Sequence, residues 1–386
     1  MQQVRAHVHP GRPWIFANEV IDPPVARLEP GGVVDVVDDR GRPVGRGYAN
    51  PHSLICIRIV ARTPVDLDGT SLYVERLAAA RAWRERALPG RRSLRVCAGD
   101  ADGLPGLVVD RYEDVLVVQI TTLGMDRRRD LIRDALVSVY QPAGIVIRDD
   151  ISIRTLEGCG GEAAVWYGEV PARVAFEESG VKLAIDPIHG QKTGFFFDQA
   201  ENRAWLRARC DGARVLDLYA NVGGWALAAL AGGAREAVAV DSSASAVALI
   251  AENGARNGME GRLHAIEADA RRWLDVRAAA GDLFDVVCVD PPAFAKNRKS
   301  VGPALHAYKQ VNAAATLLVA PGGFLYTSSC SHHIHPERFQ EAVEAGLRHA
   351  GRSAVLVHRG GQAADHPILP GLPESEYLKH LVYMVR

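Results

Sequence analysis

From residue 213 onward, short apolar runs and amphipathic stretches alternate regularly. Strand-like runs fall at 214–219, 237–240, 263–267, 284–289, 324–328 and 354–358. Helical periodicity fills the gaps, starting at 224 and 271 and spanning 244–257, 304–319 and 337–349. A last apolar run covers 381–385. Such alternation predicts a doubly wound parallel sheet, here closed by a hairpin. The first sixty residues read differently. Short β-like runs at 32–37, 44–48 and 54–60, broken by the turn Asp38-Asp39-Arg40-Gly41, predict a small β-barrel. After a polar linker at 63–70, an arginine-rich amphipathic helix at 71–87 opens a mixed α+β stretch. Its strands lie near 94–97, 107–110, 115–120, 145–148 and 164–167, with a helix near 127–139. Three domains follow: 1–62, 63–175 and 176–386.

Composition changes this picture little. The chain has 386 residues, too many for one ordinary core. With 48% hydrophobic and 24% charged residues it reads as soluble and globular, without a disorder signature. No apolar run has the length of a membrane span, and the N-terminal residues lack the apolar stretch of a signal peptide, so a cytoplasmic protein without a membrane partner is expected. A net charge of −1 argues against a whole-molecule polyanion binder but leaves local basic patches open. The six cysteines are widely spaced and form no Cys-x-x-Cys pair, so no zinc or redox centre is expected and each thiol is judged singly.

Chemistry gathers at the carboxyl ends of the predicted strands, where open parallel sheets bind ligands. The first loop, Asp217-Leu218-Tyr219-Ala220-Asn221-Val222-Gly223-Gly224, departs from the dinucleotide fingerprint. Tyrosine is ill suited to a pyrophosphate cradle, whereas an acid suits the cationic amino group of S-adenosylmethionine (SAM). Asn221 and Gly223 belong to that cofactor loop. Asp241, with Ser242 beside it, ends the second strand and is placed to accept the ribose hydroxyls. Asp269, followed by Ala270, ends the third and could accept from the adenine amino group. Each of these aspartates is open to a second reading as a helix N-cap.

At the fourth strand end, Asp290-Pro291-Pro292-Ala293-Phe294 joins a carboxylate to a rigid turn. Asp290 and Pro291 can face the edge of an extruded base and Phe294 can stack on it; the competing account has the prolines ending the strand and Phe294 in the core. At the fifth, Cys330 lies in Ser329-Cys330-Ser331. Carbon 5 of a pyrimidine is too weak a nucleophile to attack a methyl sulfonium unaided, and thiolate addition to carbon 6 makes it enamine-like. Cys330 is placed to do this; Cys288, inside an apolar strand, reads as core. His332, His333 and His335 follow, with no second ligand set to suggest a metal; loop packing, RNA contact or lowering the thiol pKa are their open roles. Upstream, Gln191-Lys192-Thr193-Gly194-Phe195-Phe196-Phe197-Asp198-Gln199 reads as a lid, with Gln191 and Thr193 toward the cofactor and Lys192 toward substrate, or else as a buried aromatic wedge. Arg12, Arg46 and Arg58 are candidates to hold RNA phosphates.

Together, His9-Pro10-Gly11-Arg12-Pro13-Trp14-Ile15-Phe16, Leu104-Pro105-Gly106-Leu107-Val108-Val109-Asp110, the Gln191–Gln199 segment, Asp290-Pro291-Pro292-Ala293-Phe294 and Ser329-Cys330-Ser331 resemble the RlmI-like family. These are class I SAM-dependent 23S rRNA cytosine-carbon-5 methyltransferases with an N-terminal PUA domain. The resemblance spans nearly the whole chain. It implies an RNA-binding PUA barrel, a central α+β domain, a Rossmann-like α/β catalytic domain, 23S rRNA as partner, often a homodimer, and Cys330 as nucleophile. Two departures stand out: Tyr219-Ala220-Asn221-Val222-Gly223-Gly224 in the cofactor loop, and His332-His333-Ile334 after the Ser-Cys-Ser. Nitrogen or uracil-carbon-5 methylation of rRNA or tRNA, and a noncatalytic RNA-binding assembly factor, are the rival readings.

Overall fold

The computed structural model describes residues 2–295 and 297–386, and the chain divides into two compact units. One takes the chain up to Val174 together with Asp186–Gly194 and Ala364–Ser375. The other comprises Ala175–Ile185, Phe195–Ala363 and Glu376–Arg386.

The first unit holds two sheets. A six-stranded sheet runs in the order Trp14–Ile15, Ile57–Ala61, Pro43–Ala49, Val33–Val37, Gln2–Ala6, Val20–Asp22. Alternate residues of these strands, among them Val4, Val34, Val36, Ile57 and Ile59, point into one apolar core. Gly47 has a steric reason: a Cβ there would lie 2.0 Å from the carbonyl oxygen of Arg58 on the neighbouring strand. The strands at Gln2–Ala6, Trp14–Ile15 and Val20–Asp22 went unread because they are short and largely polar or interrupted. The second sheet has five strands, ordered Ala163–Gly168, Gly144–Arg148, Val115–Ile120, Leu107–Tyr112, Leu94–Ala98. Helices Thr70–Ala87 and Arg129–Tyr140 share its apolar cluster through residues such as Leu77, Ile132 and Leu136. The barrel and the mixed sheet, read in sequence as 1–62 and 63–175, thus lie in the same compact unit.

The second unit carries a seven-stranded sheet. Its strands are β1 (Arg214–Leu218), β2 (Glu236–Asp241), β3 (Leu263–Glu267), β4 (Phe284–Val289), β5 (Val319–Ser329), β6 (Ala354–Gly360) and β7 (Lys379–Val385). The order is β3-β2-β1-β4-β5-β7-β6, parallel except for β7, which is antiparallel to both neighbours. Helices α1 (Gly224–Ala231), α2 (Ala244–Arg256), α3 (Ala270–Ala280), α4 (Val301–Leu317) and α5 (Pro336–His349) make the crossovers. The central strands read as near-continuous apolar runs because both faces are covered; Val215, Leu216, Val287 and Leu325 are fully buried. β5 begins five residues before the apolar run at 324–328, since Val319 already pairs with Phe284 ahead of a register shift. A separate hairpin, Val174–Glu178 with Val181–Ile185, was not foreseen.

Candidate active site

The registers of the second unit place its chemistry. Leu218 of β1 lies opposite Val240 and Val289, and Val289 opposite Thr327. The carboxyl ends of β2, β1, β4 and β5 are therefore side by side. Because β7 runs the other way, its first residue, Lys379, pairs with Ser329 at the end of β5.

Asp217 is fully buried within β1. Its Oδ2 accepts the Ala226 N–H of α1 at 3.0 Å, while its Oδ1 has no partner. Burial pushes its pKa up to about 8, opposed by the Ala226 N–H and reinforced by the charges of Asp290 and Asp241. A buried carboxyl group with one uncompensated oxygen has the capacity to receive a cation. The loop beyond it bends through three left-handed residues, Tyr219 (φ 63°), Asn221 (φ 51°) and Gly223 (φ 86°). That geometry aims the Asn221 N–H at Asp241 Oδ2, 2.9 Å away, and leaves the Asn221 side-chain Nδ2 buried without a partner. At Gly223 the positive φ is natural only for glycine, and a Cβ would approach Ile250 at 3.3 Å.

Asp241 accepts a second backbone N–H, from Ser243, at 3.0 Å; this fixes the carboxylate at the end of β2, with Ser242 exposed beside it. Asp269 differs. It is exposed, and its Oδ1 accepts the Arg272 N–H at 2.9 Å as the N-cap of α3, whose first residue, Ala270, is buried. These residues fit SAM: a buried acid with one oxygen free of partners for its ammonium, an acid at the second strand end for the ribose, and a loop whose Asn221 Nδ2 has no partner.

Asp290 ends β4. Its Oδ2 accepts from Gln199 Nε2 at 3.0 Å and from Trp225 Nε1 at 3.1 Å. Burial raises its pKa to about 6, resisted by the Trp225 hydrogen bond. Pro291 is buried and Pro292 exposed. Phe294 is half-buried, its ring 4.7 Å from that of Tyr308 on α4, so much of its face is used against the core, as the competing account has it.

Cys330 is partly exposed just past β5, and its two neighbours are tied down. Ser329 Oγ donates to Tyr308 Oη at 2.9 Å, and the Ser331 and Tyr308 hydroxyls lie 3.0 Å apart. The Ser331 carbonyl accepts from Lys379 Nζ at 2.7 Å. Cys288 is fully buried, and burial drives its thiol pKa far up, as befits a packing residue. His332 and His333 are exposed; His332 lies against Tyr377, ring centres 5.1 Å apart, and His335 stands at the N-cap position of α5 without a side-chain capping bond. Among the described residues no group of three or more His, Cys, Asp or Glu is arranged to hold a metal ion.

Sequence reasoning passed over Lys379, Tyr308 and Trp225, and took Gln199 only as the end of the segment at 191–199, with no role of its own. Only the strand order brings them to Cys330 and Asp290, although the polar Lys379-His380 pair opening an apolar strand was a signal. His380 is buried, its Nδ1 2.8 Å from Ser328 Oγ, its ring stacked on Trp225 at 5.4 Å; burial presses its pKa down to about 3.

Most of the other candidates belong to the first unit. Gln191 and Lys192 are exposed and Thr193 buried in the first unit, where Thr193 Oγ1 donates to Asp110 Oδ2 at 2.5 Å. The aromatics that follow are a wedge: Phe195 and Phe197 are buried, each in edge contact with Phe176. The three arginines proposed for phosphates are engaged within the first unit. Arg46 forks onto Asp35 at 2.7 and 3.1 Å. Arg12 lies 3.5 Å from Glu19 and over the Phe16 ring. Arg58 lies 3.9 Å from Glu157 and over Trp14.

Residues 159–383, more than half of the chain, match the model of the S-adenosylmethionine-dependent methyltransferases, and residues 3–62 match a PUA-like domain. The chain belongs to the family of S-adenosylmethionine-dependent methyltransferases. It is 36% identical to the ribosomal RNA large subunit methyltransferase I of Shewanella denitrificans, over 99% of each chain. Two solved structures share its fold over the full length of both chains: one described as a SAM-dependent methyltransferase from Streptococcus mutans (TM-score 0.85, 18% identity), the other as a methyltransferase complexed with SAH (TM-score 0.86, 19% identity). SAM is the cofactor of this chain, and no helix among the described residues is long and apolar enough to cross a membrane.

Proposed function

We propose that the protein methylates carbon 5 of a cytosine in large-subunit ribosomal RNA, with Cys330 as covalent nucleophile. The observation that carries this is the position of Cys330: a partly exposed thiol on an anchored loop, one strand from the Asp290 loop and two from the cofactor loop. The name of the Shewanella relative and the PUA-like match to residues 3–62 support an RNA substrate.

Bound SAM would supply the electrophilic methyl group. The Cys330 thiolate forms a bond to carbon 6, and the electron pair of the 5,6 double bond then takes the methyl at carbon 5. Loss of the carbon 5 proton to a base drives the pair back, breaks the carbon–sulfur bond and regenerates the thiolate. Asp217 and Asp241 hold the cofactor. Asp290, fixed by Gln199 and Trp225, faces the base.

RNA carrying 5-fluorocytosine at the target tests the mechanism, because fluorine cannot leave as a proton does and the adduct persists. A stable adduct that disappears in Cys330→Ala, with turnover reduced at least ~1000-fold and SAM affinity retained, is expected. Substantial methylation by Cys330→Ala would instead favour transfer to a nitrogen through the Asp290 loop. Bisulfite sequencing and nucleoside mass spectrometry of RNA from a deletion strain identify the base.

A further inference from the structure

Lys379 is a buried cation in a crevice whose other ionisable groups are mostly acids. Only 7% of it is exposed, yet its ammonium has no carboxylate among its hydrogen-bond partners: Nζ donates at 2.7 Å to the carbonyl of Ser331 and at 2.7 Å to that of Tyr377. Buried lysines are rare unless compensated. Two neutral carbonyls do not neutralise it, and one of them belongs to the residue immediately after Cys330. The register Ser329↔Lys379 is what puts it there.

We propose that Lys379 is a positioning residue for the Cys330 nucleophile: its ammonium pins the loop that carries the thiol through the Ser331 carbonyl and supplies the positive charge that favours the thiolate. This rests on Cys330 acting as nucleophile. Burial lowers the lysine's own pKa to about 8, and the nearby Cys330 pulls it back up. That attraction is mutual: a thiolate and an ammonium close together each favour the other's charged form. Among the described residues, the other titratable groups near the thiol are of a different kind. Tyr308 on α4 carries a phenol whose pKa is raised by burial, so it stays neutral. Glu376, exposed ahead of β7, adds negative charge toward Lys379. His332, on the loop of Cys330 itself, is exposed and lies against Tyr377. The thiol proton leaves to solvent, and no other co-reactant is needed.

Alkylation of Cys330 by iodoacetamide as a function of pH, followed by peptide mass spectrometry on the full-length protein, tests this without RNA. In the wild type the midpoint should lie below the ordinary thiol value of about 8.5. In Lys379→Met it should rise by about one pH unit, the lower end of the effect of a neighbouring charge. Single-turnover methylation near neutral pH should fall roughly tenfold, while SAM affinity is kept. Lys379→Arg should keep the wild-type midpoint. A wild-type midpoint at or above the ordinary value overturns the proposal whether or not the variants fold. So does a Lys379→Met protein that loses rate with an unmoved midpoint, since that is the signature of loop packing alone. If Cys330→Ala still methylates RNA, the nucleophile reading fails, whereas the alkylation midpoint reports on Lys379 independently.

Discussion

Buried charged side chains are handled in two ways, and each unit holds a clear case. In the first unit it is a matched pair, although Arg84 keeps its Nε without a partner. Arg84 and Asp102, each 2% exposed at the side chain, form a two-pronged pair at 3.0 and 2.7 Å. Asp102 also accepts the Ala98 N–H, and Arg84 reaches the Asp365 carbonyl. In the second unit the crevice at the strand ends keeps Asp217 with an orphaned oxygen, Asp290 with a raised pKa, and Lys379 on carbonyls alone. The first pattern gives rigidity; the second leaves charge to be satisfied by something that binds. Removing charge should therefore unfold one unit and disarm the other.

The largest effect on stability is expected where the match is best. Asp102→Ala strands the Arg84 guanidinium in the interior, and breaking a buried pair from one side costs about 3–5 kcal/mol. Denaturant unfolding measures it. SAM affinity, assayed where the variant is still folded, should be unchanged. A loss below ~1 kcal/mol would mean that the pair is solvated and that the contrast between the units is overdrawn.

The converse case is Asp217→Asn. Its stability effect is small but its ligand effect is not. SAM affinity should fall roughly tenfold to a hundredfold, the ~1.5–3 kcal/mol of a hydrogen bond to a charged group. The pH dependence is more telling. With its folded pKa raised to about 8, Asp217 contributes stability that is complete below the unfolded carboxyl value and is lost as pH rises through about 8. The apo variant should lack that decline. In the wild type, an ammonium can pair with Asp217 only after the carboxyl ionises, so binding near pH 6 to 7 should release about one proton. Calorimetry in buffers of different ionisation enthalpy measures it; no proton release in the wild type would remove Asp217 from the ammonium site.

How much of this was legible in the sequence depends on the range of the contacts involved. The Rossmann-like alternation, and the seating of Asp241 and Cys330 at strand ends, could be read locally, because an apolar run followed by a polar loop marks where a parallel strand stops. Whether an arginine is available to a ligand could not. Arg46 reads in sequence as a phosphate ligand, and only the pairing of its strand with Val33–Val37 shows that it is also engaged with Asp35. Lys379 escaped for the same reason: the polar pair it forms with His380 marks the start of a strand, but nothing along the chain announces that it faces Ser329. The Phe195 to Phe197 run was open between lid and wedge, and its packing on Phe176, from the unforeseen hairpin, makes it a wedge. Burial and partner identity are properties of topology, and those decide which residues remain for function.

The smallest expected effect concerns Asp269, which separates a strand-end acid used for structure from those used for binding. All three aspartates looked alike in sequence, yet Asp269 is exposed and spends Oδ1 on the Arg272 N–H at the start of α3. Losing an N-cap costs about 1 kcal/mol, and serine, which caps as well as aspartate, restores it. Asp269→Ala should therefore lower stability by about that amount, Asp269→Ser should not, and both should bind SAM within about twofold of wild type. If both variants instead weaken SAM by tenfold while only the alanine loses stability, the carboxylate is doing two things at once: its Oδ2 accepts from the adenine amino group while Oδ1 caps the helix, and the third strand end joins Asp217 and Asp241 in the cofactor site.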